Sequence, residues 1–220
     1  MAASRPSLKF GTDSSGSTRR TLGAVKEYYD TRAPEYDDWY LGRGLFTGRE
    51  RPGWDGELAE LVAVISSLPP KRTLDVACGT GFLTRHLRGD VLGLDQSARM
   101  LDEARRQAPN ATYVQGDALA LPVPDRSFDR VFTGHFYGHL ERAECDRFLA
   151  EARRVAPELV IVDAARGAGD GIEEHMSPRV LNDGSTWQVF KRYFTGSQLL
   201  AELGGGDILL EGRQFLVVRA

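Results

Sequence analysis

Five short apolar segments, separated by stretches with helical periodicity, constrain the fold of this chain most strongly. The segments are RTLDVA, VLGLD, ATYVQGD, FDRVFTG and ELVIVDA, all between residues 72 and 164. Three of the four gaps carry helical patterns, near Phe82–Leu87, Ala98–Gln107 and Ala143–Val155. Strands that alternate with helices predict a doubly wound α/β fold, in which helices cover both faces of a parallel sheet.

The last part of the chain departs from this alternation. GSQLLAEL predicts a final helix, and DILLEGR and QFLVVR predict two strands so close together that they pair as a hairpin or through a neighbour. We therefore expect a mostly parallel seven-stranded sheet with an antiparallel terminal strand. An insertion after the fifth strand, residues 166–194, contains Asn182–Gly184 (NDG), which predicts a hairpin turn.

The N-terminal third has a different composition. Seven of the 20 aromatic residues lie between Tyr28 and Trp54, more than a short helix pair can bury, so we expect them to form a lid. Residues 1–20 have few apolar anchors and predict a disordered tail, with a transit peptide as the alternative for this Arg- and Ser-rich stretch. The predicted single domain, 21–220, then consists of a helical cap (21–68, with a helix over Gly56–Ser67), a core sheet (71–165), a flap (166–194) and a terminal helix with two strands (195–220).

Charge and composition narrow the class of partner. The formal net charge is −3 and the sequence pI is about 5.9, which favours no nucleic-acid partner. The apolar runs are far shorter than the roughly 20 residues that span a bilayer, so no membrane partner is expected. Two cysteines, Cys78 and Cys145, make neither a disulfide framework nor a zinc site. We expect a cytoplasmic monomer or homodimer.

Three acidic residues follow the first three predicted strands. Asp75 precedes a turn containing Gly79 and Gly81, Asp95 comes twenty residues later, and Asp117 follows the third strand. Glycines let a ligand approach the backbone, and a carboxylate at that spacing accepts hydrogen bonds from ribose hydroxyls. This arrangement predicts a nucleoside site at the carboxyl edge of the sheet. The dinucleotide pattern GxGxxG has Gly or Ala where this chain has Thr84, which disfavours NAD.

Four segments resemble, in order and spacing, the motifs of class I S-adenosylmethionine-dependent methyltransferases. LDVACGTGFLTRHL resembles the first motif, VLGLDQSARMLDEAR the second, and VQGDALALPVPDRSFDRVFTG the third and fourth. The distal strand pair resembles the family's reversed final hairpin, so the resemblance covers residues 28–220. The family's first glycine is Ala77 here, a small replacement that we expect to be tolerated.

The resemblance implies S-adenosyl-L-methionine as cofactor and S-adenosyl-L-homocysteine as product. It implies that Asp75 either binds the cofactor's amino group through water or holds the loop, and that Asp95, with Gln96 beside it, holds the ribose. Met100 is expected on the adenine, although a core position is the alternative for it. The other implied cofactor residues are Ala77, Gly79 and Gly81 in the loop, Asp117 and Ala118 at the adenine edge, Thr133 at the methionine moiety, and Tyr28 and Tyr36, which close over the carboxylate or simply pack in the lid.

The segment TGHFYGHLE, after the fourth strand, supplies the candidate catalytic residues His135, Tyr137 and His139. All three face one way if the segment is extended, but not if it is helical. A general base is required only if the acceptor carries a proton, and a histidine that caps a helix or bonds a carbonyl is the alternative. The two histidines lack a third ligand, so no metal is expected.

The same segment bears on the methyl acceptor. It lacks the Asn/Asp-Pro-Pro-Tyr element typical of enzymes that methylate adenine or glutamine amides, which favours transfer to O, N or C of a small-molecule substrate. The alternatives are a protein that binds the cofactor without methyl transfer, for regulation or a reaction such as cyclisation, and an NAD-dependent oxidoreductase. Residues of the insertion that line an acceptor pocket, or else form a solvated face, are His175, Arg179, Trp187, Lys191 and Tyr193.

Overall fold

The computed structural model describes residues 22–220, with side chains from residue 25 onward. The predicted tail, residues 1–20, and its alternative as a transit peptide lie outside the described residues. The strands are β1 (Thr73–Val76), β2 (Val91–Asp95), β3 (Thr112–Gln115), β4 (Arg130–Gly134), β5 (Glu158–Ala164), β6 (Glu174–Val180), β7 (Thr186–Arg192), β8 (Asp207–Glu211) and β9 (Phe215–Arg219).

The helices alternate with these strands as the apolar pattern predicts. They are α1 (Leu22–Arg32), α2 (Asp38–Leu41), α3 (Trp54–Ser67), α4 (Ala98–Gln107), α5 (Arg142–Val155) and α6 (Gly196–Leu203), with 3-10 turns at Ala33–Glu35, Gly44–Phe46, Thr84–His86, Tyr137–His139 and Arg166–Gly169. Side-chain caps fix several helix starts: Ser97 accepts from the amide of Met100, and Thr195 accepts from that of Gln198. Among the described residues, every helix is too short or too polar to cross a bilayer.

The main sheet has seven strands in the order β3-β2-β1-β4-β5-β9-β8. Strands β1 to β5 pair in parallel, and β9 is antiparallel to both β5 and β8. The expected α/β fold is thus confirmed, with the antiparallel strand one position inside the edge. Strand β1 lies between β2 and β4, so the strands that follow it are added first on one side of β1 and then on the other. Such a reversal of strand order opens a crevice at the carboxyl ends of the strands.

Helices cover both faces of this sheet. Strand β9 shows the alternation, because Leu216 and Val218 pack with α5 and α6, whereas Phe215 and Val217 pack with α3. All four side chains are fully buried. A strand buried on both faces requires a continuous apolar run, which explains why FLVVR was recognisable from the sequence.

One predicted helix is largely absent. The segment Phe82–Leu87 forms only the 3-10 turn Thr84–His86. The residues that follow this turn are already hydrogen-bonded to the start of β1. The Arg88 carbonyl accepts from the Lys71 amide, and the Asp90 carbonyl accepts from the Thr73 amide. Too few residues remain between the glycine turn and β2 for a full helix. The helix predicted over Gly56–Ser67 begins two residues earlier, at Trp54.

The insertion forms a separate two-stranded hairpin, β6–β7, with its turn at the predicted Asn182–Gly184. Gly184 has a φ of +82°, and the Leu181 amide donates to the Ser185 carbonyl across the turn. The hairpin contacts the N-terminal helices: Trp187 packs on Tyr28 with ring centroids 5.7 Å apart. We refer to α1, the turn Ala33–Glu35, α2 and this hairpin together as the lid.

Candidate functional site

The loop after β1 has an unusual backbone. Ala77, Gly79 and Gly81 all have positive φ, at +57°, +56° and +78°. A left-handed conformation costs an alanine about 1 kcal/mol, so Ala77 is accommodated at a modest price in stability. Gly81 serves packing, because a Cβ there would come within 3.2 Å of the Ala104 backbone in α4. The loop can therefore lie close against α4, where the Cys78 amide donates to the Leu94 carbonyl and the Gly81 amide to the Cys78 carbonyl.

Asp95, at the end of β2, anchors this loop. It is buried, and its two carboxylate oxygens accept from the amides of Gly79 and Ser97, each at 2.9 Å. Burial raises the pKa of Asp95 to about 6, although these amide hydrogen bonds favour the ionised form. A carboxylate offers about four lone-pair positions, so each oxygen keeps capacity for one further donor such as a ribose hydroxyl.

Asp75 lies behind the loop and holds it through a hydrogen bond with Thr84. The Thr84 hydroxyl donates to its carboxylate at 2.6 Å, and both residues are buried. Burial raises the pKa of Asp75 to about 7. Asp75 lines a small space under the loop, beside Tyr40 and Phe82, and does not line the adjoining cleft described next. This geometry supports the loop-holding alternative for Asp75.

A cleft at the carboxyl edge of the sheet, which we call the edge cleft, collects most of the predicted cofactor residues. Those that line it are Tyr36, Ala77, Gly79, Asp95, Gln96, Met100, Asp117 and Ala118, together with the candidate catalytic residues His135 and His139. Its other lining residues are Val25, Tyr29, Leu94, Gly116, Leu119, Gly134, Phe136, Leu140 and Glu144, which the motif comparison did not single out. Their only sequence signal is adjacency to predicted site residues or to the ends of strands.

Two predicted cofactor residues point elsewhere. Tyr28 is buried against Trp187, and its hydroxyl accepts from Arg32, so Tyr29 occupies the cleft in its place. Consecutive helix residues lie about 100° apart, and the motif could not decide which tyrosine faces inward. Thr133 is fully buried within the sheet, where its hydroxyl donates to the Val76 carbonyl at 2.8 Å.

Tyr137 does not line the edge cleft. Residues Tyr137–His139 form a 3-10 turn, so the helical alternative applies and the three side chains do not share one orientation. The Tyr137 hydroxyl donates to Glu202 of α6 at 2.9 Å, and its ring packs with the core that α5 and α6 form on the sheet.

His135 is the most isolated polar group at the site. Its backbone has a φ of +54°, and its buried ring meets Trp39 edge-on with centroids 5.1 Å apart. The Nε2 atom is buried without a hydrogen-bond partner among the described residues. Burial lowers the pKa of His135 to about 4, so the ring is neutral at neutral pH. In His139, Nδ1 lies 2.6 Å from the Phe190 carbonyl and donates to it.

A second space, of about 240 Å³, lies between the lid and the sheet. We call it the lid cavity. It shares Tyr29, Tyr36, His135 and His139 with the edge cleft. Its remaining lining residues are Tyr28, Arg32, Trp39, Phe46, Trp54, Ala164, Ala168, Arg179, Val189, Lys191, Tyr193 and Gln214.

The insertion residues divide into two groups. Arg179, Lys191 and Tyr193 line the lid cavity. His175 instead stacks on Tyr193, and Trp187 packs on Tyr28, so neither reaches the cavity. No group of three or more His, Cys, Asp or Glu side chains in the part of the chain with described side chains is placed to hold a metal ion.

Comparisons with known proteins agree with this geometry. A family model described as "Methyltransferase domain" matches residues 73–158. The demethylmenaquinone methyltransferase of Thermotoga maritima is 33% identical over 141 residues, 62% of this chain and 58% of the relative. An N,N-dimethyltransferase of Streptomyces fradiae, named for dTDP-3-amino-3,6-dideoxy-alpha-D-glucopyranose, is 37% identical over 153 residues, 64% of this chain and 56% of the relative. The chain thus spans a little over half the length of these curated relatives.

A solved structure matches over more of the chain. The complex titled DhpI-SAM-HEP has a TM-score of 0.69 and 27% identity, covering 91% of this chain and 99% of that one. The motif order, the strand order with its reversed final strand and these matches agree. The chain is therefore similar, in its motifs and in its fold, to class I S-adenosylmethionine-dependent methyltransferases.

Proposed function

We propose that this protein is a methyltransferase that uses S-adenosylmethionine and transfers the methyl group to an oxygen, nitrogen or carbon of a small molecule. The observation that carries the proposal is the junction of two spaces. The edge cleft has the composition of a nucleoside site, and it meets the lid cavity at Tyr29, Tyr36, His135 and His139. An acceptor in the second space would meet the cofactor at this junction.

The residues present fit the cofactor. Asp95 has carboxylate capacity left for the two ribose hydroxyls, and Gly79, whose φ of +56° disfavours a side chain, brings backbone to the cleft. Met100, Asp117 and Ala118 line the portion of the cleft that we assign to adenine. When bound, the cofactor supplies a methyl group on a sulfonium, which a nucleophilic atom takes to leave S-adenosylhomocysteine.

The lid residues have two tasks. Tyr29 and Tyr36 line both spaces, so with Trp39 they exclude water where cofactor and acceptor meet. The neutral ring of His135 has an unpartnered Nε2, which can accept a proton or a hydrogen bond from an acceptor O–H or N–H group. His139, whose Nδ1 proton is engaged by Phe190, is oriented by the hairpin.

The size of the lid cavity bears on the acceptor. At about 240 Å³ it is below the roughly 300–1,000 Å³ typical of ligand pockets, which favours a compact acceptor. The two relatives are named for a demethylmenaquinone and for a dTDP-linked amino sugar, both of which are small molecules.

Calorimetric titration with S-adenosylhomocysteine tests the cofactor assignment. We expect Asp95→Ala and Gly79→Val to weaken binding at least tenfold, since each hydrogen bond to a charged group contributes about 1.5–3 kcal/mol and a β-branched residue is strained at positive φ. Asp90→Ala and Gly48→Val are matched controls, because Asp90 is exposed and Gly48 has a φ of +73° with no atom near its Cβ position. Unchanged affinity in both cleft variants would contradict the assignment.

A second experiment separates methyl transfer from binding alone. A small-molecule extract is incubated with protein and cofactor labelled in the methyl group, and labelled products are collected. Transfer to a small molecule is the expected result. Tight cofactor binding with no labelled product would favour the alternative of a binding protein, and NAD binding without S-adenosylhomocysteine binding would favour an oxidoreductase.

A further inference from the structure

The lid cavity has an uneven charge that the proposed function does not explain. Three cationic side chains line it, Arg32 from α1, Arg179 from β6 and Lys191 from β7, and no carboxylate does. The edge cleft differs, because Asp95, Asp117 and Glu144 all line it. The two connected spaces therefore present opposite charge to a ligand.

Lys191 does not contribute a free charge. Its ammonium lies 2.5 Å from the carboxylate of Asp163, and both side chains are almost fully buried. That carboxylate also accepts from the Gly138 amide at 2.7 Å. The pair is close to neutral as a unit, so the uncompensated charge of the lid cavity comes from the two arginines.

Arg32 has no carboxylate partner among the described residues. One of its terminal nitrogens donates to the Tyr28 hydroxyl, and its guanidinium lies 5.2 Å from the centre of the Tyr36 ring. The Nε atom is buried and makes no hydrogen bond within the described part of the chain. A buried charge without a counter-charge, and with an unused donor, is costly unless a ligand compensates it.

Arg179 provides the second charge from a different element. It is half-buried on β6 and forms no ion pair with any residue for which side chains are described. Tyr193 and Gln214 add uncharged hydrogen-bonding groups to the same cavity. Guanidinium groups present planar, paired donors that match the oxygens of a carboxylate or a phosphate.

We propose that the methyl acceptor carries an anionic group, a carboxylate or a phosphate, which Arg32 and Arg179 hold in the lid cavity. This inference rests on the proposed function, because it describes the substrate of the same site. His135 and His139 lie where the lid cavity meets the edge cleft, so the acceptor's nucleophilic atom belongs at that junction. The acids of the edge cleft disfavour the anion there, which fixes the direction in which the acceptor enters the site.

The first test measures binding without turnover. Full-length protein saturated with S-adenosylhomocysteine is titrated with inorganic phosphate and, separately, with acetate. We expect at least one of these anions to bind the wild-type protein, and Arg179→Gln and Arg32→Gln each to weaken that binding at least tenfold. Arg32→Lys, which keeps the charge, should recover part of it. Arg147→Gln, at an exposed position on α5, is the matched control and should bind as wild type does.

The results separate the two proposals. If S-adenosylhomocysteine fails to bind, the proposed function itself is wrong. If it binds normally but neither anion binds, or both arginine variants bind the anions as tightly as wild type, the anionic acceptor is overturned. Thermal melts of each variant identify unfolding. Because Arg179 is only half-buried and forms no ion pair with any residue for which side chains are described, Arg179→Gln is the variant to rely on if Arg32→Gln does not fold.

A second measurement addresses the substrate directly. A small-molecule extract is separated on an anion exchanger before incubation with labelled cofactor, and the label is expected only in products from the retained fraction. Loss of acceptor activity after phosphatase treatment of that fraction would indicate a phosphate monoester, and its survival a carboxylate or another anion. Label in products from the unretained fraction alone would overturn the proposal.

Discussion

The hydroxyl of Thr80 donates a 2.5 Å hydrogen bond to the carboxylate of Asp37, so the loop after β1 is tied directly to the lid. Both side chains are buried. A second bond of the same kind, 2.6 Å long, joins the hydroxyl of Ser97 at the start of α4 to Asp30 of α1. The lid is therefore held by the two segments that also hold Asp95, and its position depends on theirs.

Thr80→Val should loosen the lid. The change leaves the Asp37 carboxylate buried without this donor, which costs about 1–3 kcal/mol. We expect weaker binding of S-adenosylhomocysteine, by about tenfold, and faster dissociation, both measured by stopped-flow and calorimetric titration. Thr47→Val, at an exposed position in the loop after α2, is the control. If Thr80→Val lowers stability while cofactor binding and release stay at wild-type values, this tie has no part in ligand closure.

Binding of S-adenosylhomocysteine should depend on pH through Asp95. Its pKa is raised to about 6 by burial, and a ribose diol binds best to the ionised carboxylate. Affinity should be constant above about pH 7 and fall by up to tenfold per unit below about pH 6, as protonation competes with the ligand.

Calorimetry of the Asp95→Asn variant isolates this effect. That variant should bind weakly at every pH, and any pH dependence it retains belongs to Asp75, whose pKa is about 7. An Asp95→Asn variant with the full wild-type pH profile would assign the titration to another group.

The buried ion pair beneath the hairpin should matter for stability. Burial opposes the ionised form of Asp163, but Lys191 nearby keeps the pKa of that carboxyl below its usual value. We expect Lys191→Met to cost about 3–5 kcal/mol of unfolding free energy, because it strands a buried charge, and Lys191→Met with Asp163→Asn to recover much of that loss. Urea unfolding measures both.

The same ion pair also predicts how the free energy of unfolding changes with pH. A carboxyl whose folded pKa is lowered stabilises the protein above its unfolded pKa of about 4, and this contribution is lost as pH falls through the folded value. Lys26→Met, which removes a partly exposed pair with Asp30, should cost less than about 1 kcal/mol. Equal losses for the buried and the partly exposed pair would show that Asp163 does not depend on Lys191.

Substitution of His135 and Tyr137 should separate their roles. His135→Gln is expected to lower methyl transfer at least a hundredfold if the acceptor must lose a proton, with S-adenosylhomocysteine affinity changed by less than threefold, because general-base catalysis contributes about 10²–10⁴-fold. Tyr137→Phe should keep the transfer rate and lose about 1 kcal/mol of stability, since its hydroxyl bonds Glu202. A greater loss of rate in Tyr137→Phe than in His135→Gln would reverse these assignments.

The sequence predicted the sheet well because its signals are local. The runs 91–95 and 158–164 and the helix 98–107 coincide with β2, β5 and α4. In each segment the apolar residues follow the pattern typical of the element that forms. The start of the helix is also marked by Ser97, a residue type favoured at helix N-caps. Asp95 was recognised for the same reason, since its position after an apolar strand fixes where the carboxylate lies.

The side-chain orientations that the sequence did not predict depend on contacts between residues far apart in the chain. The orientation of Tyr28 is set by Trp187 on the hairpin, and that of Tyr137 by Glu202 on α6. The position of Arg32 in the lid cavity carried no sequence signal, because an arginine at the end of a helix is ordinarily solvated. Which face a lid residue presents is decided only when the hairpin packs on α1.

Strand β9 also has a consequence for biosynthesis. It supplies the only partner on one side of β5 within the described residues, and the register joins Ala164 to Phe215, far along the chain. Loop closure over such a separation is slow. During translation the apolar edge of β5 therefore stays unpaired after the first five strands have formed, and an open strand edge of that kind invites aggregation. The emergence of residues 215–219 from the ribosome both completes the sheet and ends this vulnerability.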